Sequence, residues 1–262
     1  VVVEAVQVVC ESLSTNVDMM TSSNTHSEGG EFLDIVRGPY LLTGRKMIND
    51  ALATKIVQVM RTVPENTPKG TLAGRGYTGV QELPGIGRVF VKQYAHGGML
   101  RGLTGGRFLC GAKSRSRAEF DMLEAVRAFG VKAPQPYICV TKGSFFYQTW
   151  LIMEEIRDSR NLVQVSREDG DLLQDSMKRV AEQVLLLIKN NVFHVDLHPG
   201  NVLISKTGEV FIVDFDKARF YTGSSQSLRE LYLRRWRRAV IKHGLSPMLT
   251  ELMSLTLRSY NE

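Results

Sequence analysis

The stretch from Asn191 to Ala218 constrains this chain more than any other. It reads His194-x-Asp196-x-x-x-x-Asn201, followed by Asp214-Phe215-Asp216. Two short apolar runs lie between the motifs, Val202–Ser205 and Val210–Val213, separated by Lys206-Thr207-Gly208-Glu209. Those four residues carry turn chemistry, so the segment predicts a β-hairpin. A hairpin brings Asn201 and Asp214 together at its open end. Two oxygen ligands there suit a hard cation bound to a triphosphate. The competing reading is a plain hairpin with solvated carboxylates at its end; it makes the second motif a coincidence.

The spacing resembles that of protein kinases, which place a catalytic Asp and a metal-binding Asn in the first motif. A second metal-binding Asp follows the hairpin. Asp216 stands where Asp-Phe-Gly has its glycine. That exchange removes a flexible residue and adds a carboxylate, so the switching of regulated protein kinases is not implied.

Upstream, the chain keeps the same order. Gly74-Arg75-Gly76-Tyr77-Thr78-Gly79 is a G-x-G-x-x-G. Alone it is weak, since any tight glycine turn produces it. A dinucleotide-binding reading needs a helix next. Here an extended run follows, then Arg88–Tyr94, in which Val89 and Val91 alternate with Phe90 and Lys92 as in a strand. Lys92 is either a solvated strand residue or the cation that meets the ATP phosphates. Ser116–Phe129 predicts a helix stopped by Gly130. Glu119 on it has two readings. Ser116-x-x-Glu119 fits a capping box; in kinases this helix instead points a Glu at the strand lysine. Glu154-Glu155-Ile156 is the expected crossing between lobes, where backbone groups meet adenine.

The chain has 262 residues, 43% hydrophobic and 23% charged, enough for a two-lobed domain with a sizeable core. Residues 1–30, rich in Ser, Thr, Asn and Gly after an apolar start, are expected to be a partly disordered extension. Residues 31–262 are the expected domain, divided at 153/154. Cys10, Cys110 and Cys139 are far apart and show no zinc pattern; reduced thiols in a cytosolic compartment are the simplest reading. No apolar run approaches the ~20 residues of a membrane-spanning helix. Val1–Val9 lacks the basic start of a signal peptide.

The formal net charge of +6 suggests an anionic partner without choosing among nucleic acid, phospholipid and nucleotide. Arg101, Arg107, Lys113, Arg115 and Arg117 accumulate in a stretch without acids. This is either a solvated loop or a surface facing phosphate or membrane. Leu228–Lys242 has helical spacing: Leu228, Tyr232, Trp236, Ala239 and Val240 share one side, with Arg234, Arg235, Arg237, Arg238 and Lys242 round the other. No aromatic-interleaved basic platform suggests nucleic-acid binding.

Residues 30–245 further resemble the lipopolysaccharide core kinases, and the Kdo (3-deoxy-D-manno-octulosonic acid) kinases in particular. The resemblance rests on Gly74-Arg75-Gly76, the run from Lys92 to Met99, Arg107-Phe108 and Arg117-Ala118-Glu119-Phe120. Pro134-x-Pro136, His194-x-Asp196-Leu197 and Asp214-Phe215-Asp216-Lys217 complete it. It implies an α+β, protein-kinase-like fold with a β-rich N-lobe and a mainly helical C-lobe. It implies ATP-dependent phosphorylation of the Kdo 4-hydroxyl on a lipid A precursor, at the cytoplasmic face of the inner membrane. On that reading Asp196 is the catalytic residue, and Asn201 and Asp214 hold Mg²⁺. Gly74, Arg75, Gly76, Lys92, Glu119 and Glu154 contact or position ATP. A lipid acceptor adds an anionic membrane surface as partner; nucleic acid is not expected. Two alternatives remain: a heptose, other sugar or protein acceptor, and a basic module without turnover.

Overall fold

Among the described residues, short alternating strands predominate up to Glu154 and helices after it, as their residue types favour. The computed structural model describes residues 32–45, 48–62, 78–94, 108–109, 114–143, 146–168 and 170–259. Residues 32–262 form one unit. The expectations for residues 1–30, for Gly74, Arg75 and Gly76, and for most of the Arg101–Lys113 segment lie outside the described residues.

Strands β1 (Phe32–Arg37), β2 (Tyr40–Arg45), β3 (Thr78–Leu83), β4 (Gly87–Tyr94), β6 (Pro136–Lys142) and β7 (Phe146–Glu154) make one antiparallel sheet in the order β1-β2-β6-β7-β4-β3. A short β5 (Phe108–Leu109) pairs with β7. Helix α1 (Asp50–Thr62) begins at Asn49, whose Oδ1 accepts from the Leu52 N–H at 2.9 Å.

Period-two alternation decides which side of the sheet each residue meets. Val89, Val91, Val140, Trp150 and Ile152 pack with Leu52 and Ile56 of α1. Their neighbours Tyr94, Cys139, Leu151 and Met153 pack with Phe120, Leu123 and Val126 of helix α2 (Arg115–Ala128) on the other side. Each such buried aliphatic side chain contributes roughly 1.5–3 kcal/mol of transfer free energy. Lys92 shares its side with Tyr94, so it faces α2.

After β7 come β8 (Ser159–Asn161), α3 (Leu162–Glu168), α4 (Gly170–Lys189) and β9 (Val192–Phe193). β10 (Val202–Ser205) and β11 (Val210–Ile212) form the expected hairpin, and β10 also pairs with β8. β12 (Arg219–Phe220) pairs with β9. Helices α5 (Ser225–Lys242) and α6 (Met248–Ser259) close the described chain. Leu228, Tyr232, Trp236 and Val240 bury one side of α5, and Trp236 Nε1 donates to the Leu249 carbonyl at 3.1 Å. The result is an α+β, kinase-like fold: a sheet-rich first part followed by a mainly helical one.

Candidate active site

α2 starts one residue earlier than its apolar pattern predicts, and this decides the role of Glu119. Ser114 is the N-cap, accepting from the Arg117 N–H at 3.3 Å. The Ser116 hydroxyl bonds Thr149 on β7 instead. Of the two readings of Glu119 the capping box is therefore absent, and its side chain turns inward. Its carboxylate, 1% exposed, accepts from Lys92 Nζ at 2.9 and 2.7 Å and from the Tyr94 hydroxyl.

Lys92 Nζ also reaches Asp214 Oδ1 at 2.6 Å. Burial disfavours the charged amine, but Glu119 and Asp214 outweigh that cost and raise its pKa. Burial also works against the Asp214 carboxylate, yet Lys92 holds its pKa below the usual value. For Glu119, burial pushes the carboxyl up against the pull of Lys92. The three groups form a closed triad between β4, α2 and the loop after β11.

Asp214 takes φ +67°, a left-handed conformation that Asp tolerates better than most residues. Such strain costs about 1–3 kcal/mol and persists only where neighbours over-determine it. Here the neighbours are identifiable. The Val213 N–H donates to the Asn201 carbonyl at 3.0 Å, and the Val213 carbonyl accepts from His194 Nε2 at 3.0 Å. The His194 ring meets Phe215 edge-on, with centroids 4.6 Å apart. Burial lowers the His194 pKa, which favours the neutral ring with its proton on Nε2.

Asp216 has a partner that its sequence position does not reveal. Arg115 grips its carboxylate with two nitrogens, Nε at 3.1 Å and Nη2. Arg115 and Glu119 are four residues apart on one face of α2. That face therefore holds both acids of Asp214-Phe215-Asp216, one directly and one through Lys92. The carboxylate in place of glycine is an anchor to α2.

The hairpin brings Asn201 and Asp214 together as expected. Asn201 Nδ2 donates to the Asp196 carbonyl at 3.0 Å. Lys92 takes Asp214 Oδ1 and Asn201 Nδ2 is spent on Asp196, so Asp214 Oδ2 and Asn201 Oδ1 are the oxygens that could hold a cation. Two oxygens suit Mg²⁺, which keeps waters and phosphate oxygens for the rest of its shell. Among the described residues no cluster of three His, Cys, Asp or Glu forms a metal cage. Asp196 is 46% exposed, with Lys217 Nζ 3.3 Å from Oδ2 and Arg235 Nη2 4.0 Å from Oδ1. Arg235, expected on the outward basic side of α5, faces this carboxylate instead.

Glu154 is placed differently from Lys92 and Glu119. Its N–H donates to the Gln135 carbonyl at 2.8 Å, and its carboxylate accepts from the Gln135 N–H at 3.0 Å. Both groups are engaged inside the fold, so any contact with a base falls to other backbone atoms of this crossing.

A strand lysine locked to a helix glutamate, above a hairpin that gathers Asp196, Asn201 and Asp214, defines a kinase-like site. The sequence profile of the lipopolysaccharide kinase (Kdo/WaaP) family matches residues 68–250. The chain belongs to this family. A protein of Vibrio vulnificus named 3-deoxy-D-manno-octulosonic acid kinase is 30% identical over 156 residues, 58% of this chain. The match spans 65% of that relative's length. Proteins of the same name from Vibrio cholerae and Photobacterium damsela subsp. piscicida are 28% and 30% identical over 182 residues. Those matches cover 68% of this chain, and 77% and 74% of the relatives.

Proposed function

We propose that this protein transfers the γ-phosphoryl group of ATP to the 4-hydroxyl of Kdo on a lipid A precursor, in lipopolysaccharide inner-core synthesis. The observation that carries the reading is the Lys92–Glu119–Asp214 triad beside Asp196 and Asn201 in a member of this family. Lys92, held by Glu119, takes the α- and β-phosphates. Gly74, Arg75 and Gly76 cover the phosphates with backbone N–H groups. Asp214 and Asn201 hold Mg²⁺, which when bound supplies charge neutralisation on the phosphates. Asp196 accepts or orients the proton of the attacking hydroxyl. Catalysis of this kind is mostly positioning and charge stabilisation. The test is incubation with labelled ATP and a panel of Kdo-lipid A, heptosyl core and protein acceptors. Label on the Kdo compound supports the reading; label only on heptose or protein replaces the acceptor, and label on none removes the activity.

The domain reading follows: residues 31–262 as the kinase-like domain, with lobes meeting at 153/154, and residues 1–30 as an extension. A lipid-borne acceptor places the protein at the cytoplasmic face of the inner membrane, held peripherally. Supporting this, Arg234, Arg237, Arg238 and Lys242 are exposed on α5 and share a groove with Arg258 of α6. Each cation near an anionic surface contributes roughly 1 kcal/mol, screened by salt. Co-sedimentation with anionic and neutral liposomes at two salt concentrations tests it. Binding indifferent to lipid charge or to salt contradicts it.

A further inference from the structure

Charge is matched differently at the two acidic centres of the site. Lys92 lies between two carboxylates, and Asp216 has Arg115. Asp196, a single carboxylate, faces two cations, Lys217 and Arg235. One of them, Lys217, directly follows Asp214-Phe215-Asp216 in the chain. The other comes from α5, apart from the strand, helix and loop that hold the Lys92 triad.

Arg235 is also braced. Its guanidinium carbon lies 5.7 Å from the centroid of the Phe193 ring. An arginine steadied by an aromatic face loses less freedom when it binds, and its planar fork matches a carboxylate. Its Nη2 stands 4.0 Å from Asp196 Oδ1. A hydroxyl on Asp196 and an anion on Arg235 are therefore close enough to belong to one sugar ring.

The geometry points to Arg235 as the seat for the carboxylate of a sugar-acid acceptor, beside the catalytic Asp196. This rests on the proposed acceptor, whose sugar is itself an acid, and adds the group that selects it. A neutral hexose or heptose leaves the Arg235 fork facing only Asp196. A sugar acid gives it a second carboxylate and orients the ring so that one hydroxyl meets Asp196. Arg235 is thus a specificity residue; it neither takes the proton nor touches the transferred group.

The experiment uses two acceptors, the Kdo-bearing lipid A precursor and the same compound with the Kdo carboxyl as its methyl ester. Wild type is expected to favour the acid by about 10–100-fold in kcat/KM, the scale of a charge-assisted pair. In Arg235→Gln the acid-to-ester ratio falls towards one, chiefly through KM of the acid. Arg235→Lys keeps the charge without the fork and gives an intermediate ratio; it also serves if the glutamine variant folds poorly. A wild-type enzyme that does not distinguish acid from ester overturns the seat. So does an Arg235→Gln enzyme that slows on both compounds equally, which assigns Arg235 to the phosphates. If wild type phosphorylates neither Kdo compound but accepts a heptosyl one, the acceptor reading fails and the seat with it.

Discussion

The two acidic centres of the site are built on opposite terms. Around Lys92 and Glu119 the charges are largely withdrawn from solvent and closed on one another, with Tyr94 completing the shell; Asp214, 39% exposed, joins them through Lys92 at the open edge. Around Asp196 the carboxylate is half open to solvent, and its cations stand at 3.3 and 4.0 Å. Breaking a buried ion pair costs about 3–5 kcal/mol because a charge is left behind, whereas exposed pairs are worth about 0–1 kcal/mol. The closed half is therefore preset and resists change. The open half exchanges its contacts cheaply when an acceptor arrives. This division fits a reaction in which nucleotide geometry is fixed and the second substrate comes from outside.

The largest effect is expected at the open half. Asp196→Asn should lower kcat by about 10²–10⁴-fold, the usual loss when a positioned base is removed. Near-normal turnover with the Kdo-lipid acceptor would place the base elsewhere. In the closed half, Asp214→Asn should weaken MgATP binding by about 10–100-fold, since it removes a charged ligand and a partner of Lys92. A thermal-shift titration with MgATP reads this directly, and an unchanged shift argues against Asp214 as ligand.

Coupling within the closed half sharpens the comparison. Lys92→Met and Glu119→Gln should show a coupling energy of about 1–3 kcal/mol in a double-mutant cycle on kcat/KM. Strictly additive losses would mean that the two residues work separately. A smaller effect concerns the support beneath both halves. His194 is buried with its pKa below 6.5, so the unfolded chain takes up a proton before the folded one. Stability present above pH ~6.5 should fall as the pH drops below that value. His194→Gln should flatten that decline, leaving the part due to His198, whose pKa burial also lowers. An unchanged slope of melting temperature against pH would show that His194 does not set it.

What was legible in the sequence follows from the range of each signal. The hairpin of β10 and β11, the buried side of α5 and the strand that carries Lys92 come from local periodicity, and each has the expected form. Lys92 and Glu119 were legible only as alternatives. The deciding fact is whether Ser114 or Ser116 caps α2; both are cap-forming residues, and only Ser116 has an acid three residues on. Arg115–Asp216 and Arg235–Asp196 join residues far apart in the chain, and periodicity carries nothing about such partners. One clue was available for the first. Arg115 lies one helical turn before Glu119, so an acid two residues from Asp214 falls opposite it. For Arg235 the helical wheel pointed the wrong way: it sits at the margin of the buried stripe, where a long side chain chooses its direction by what it finds.

The division between a preset nucleotide half and an open acceptor half can be measured in one experiment. Calorimetric titration with MgATP is made on wild type, Lys92→Met and Asp196→Asn, each checked for turnover. The account predicts that Asp196→Asn binds MgATP within about twofold of wild type while turnover collapses, and that Lys92→Met loses at least about tenfold in affinity. If Asp196→Asn loses MgATP affinity as severely as Lys92→Met, the two halves are one unit and the account is wrong.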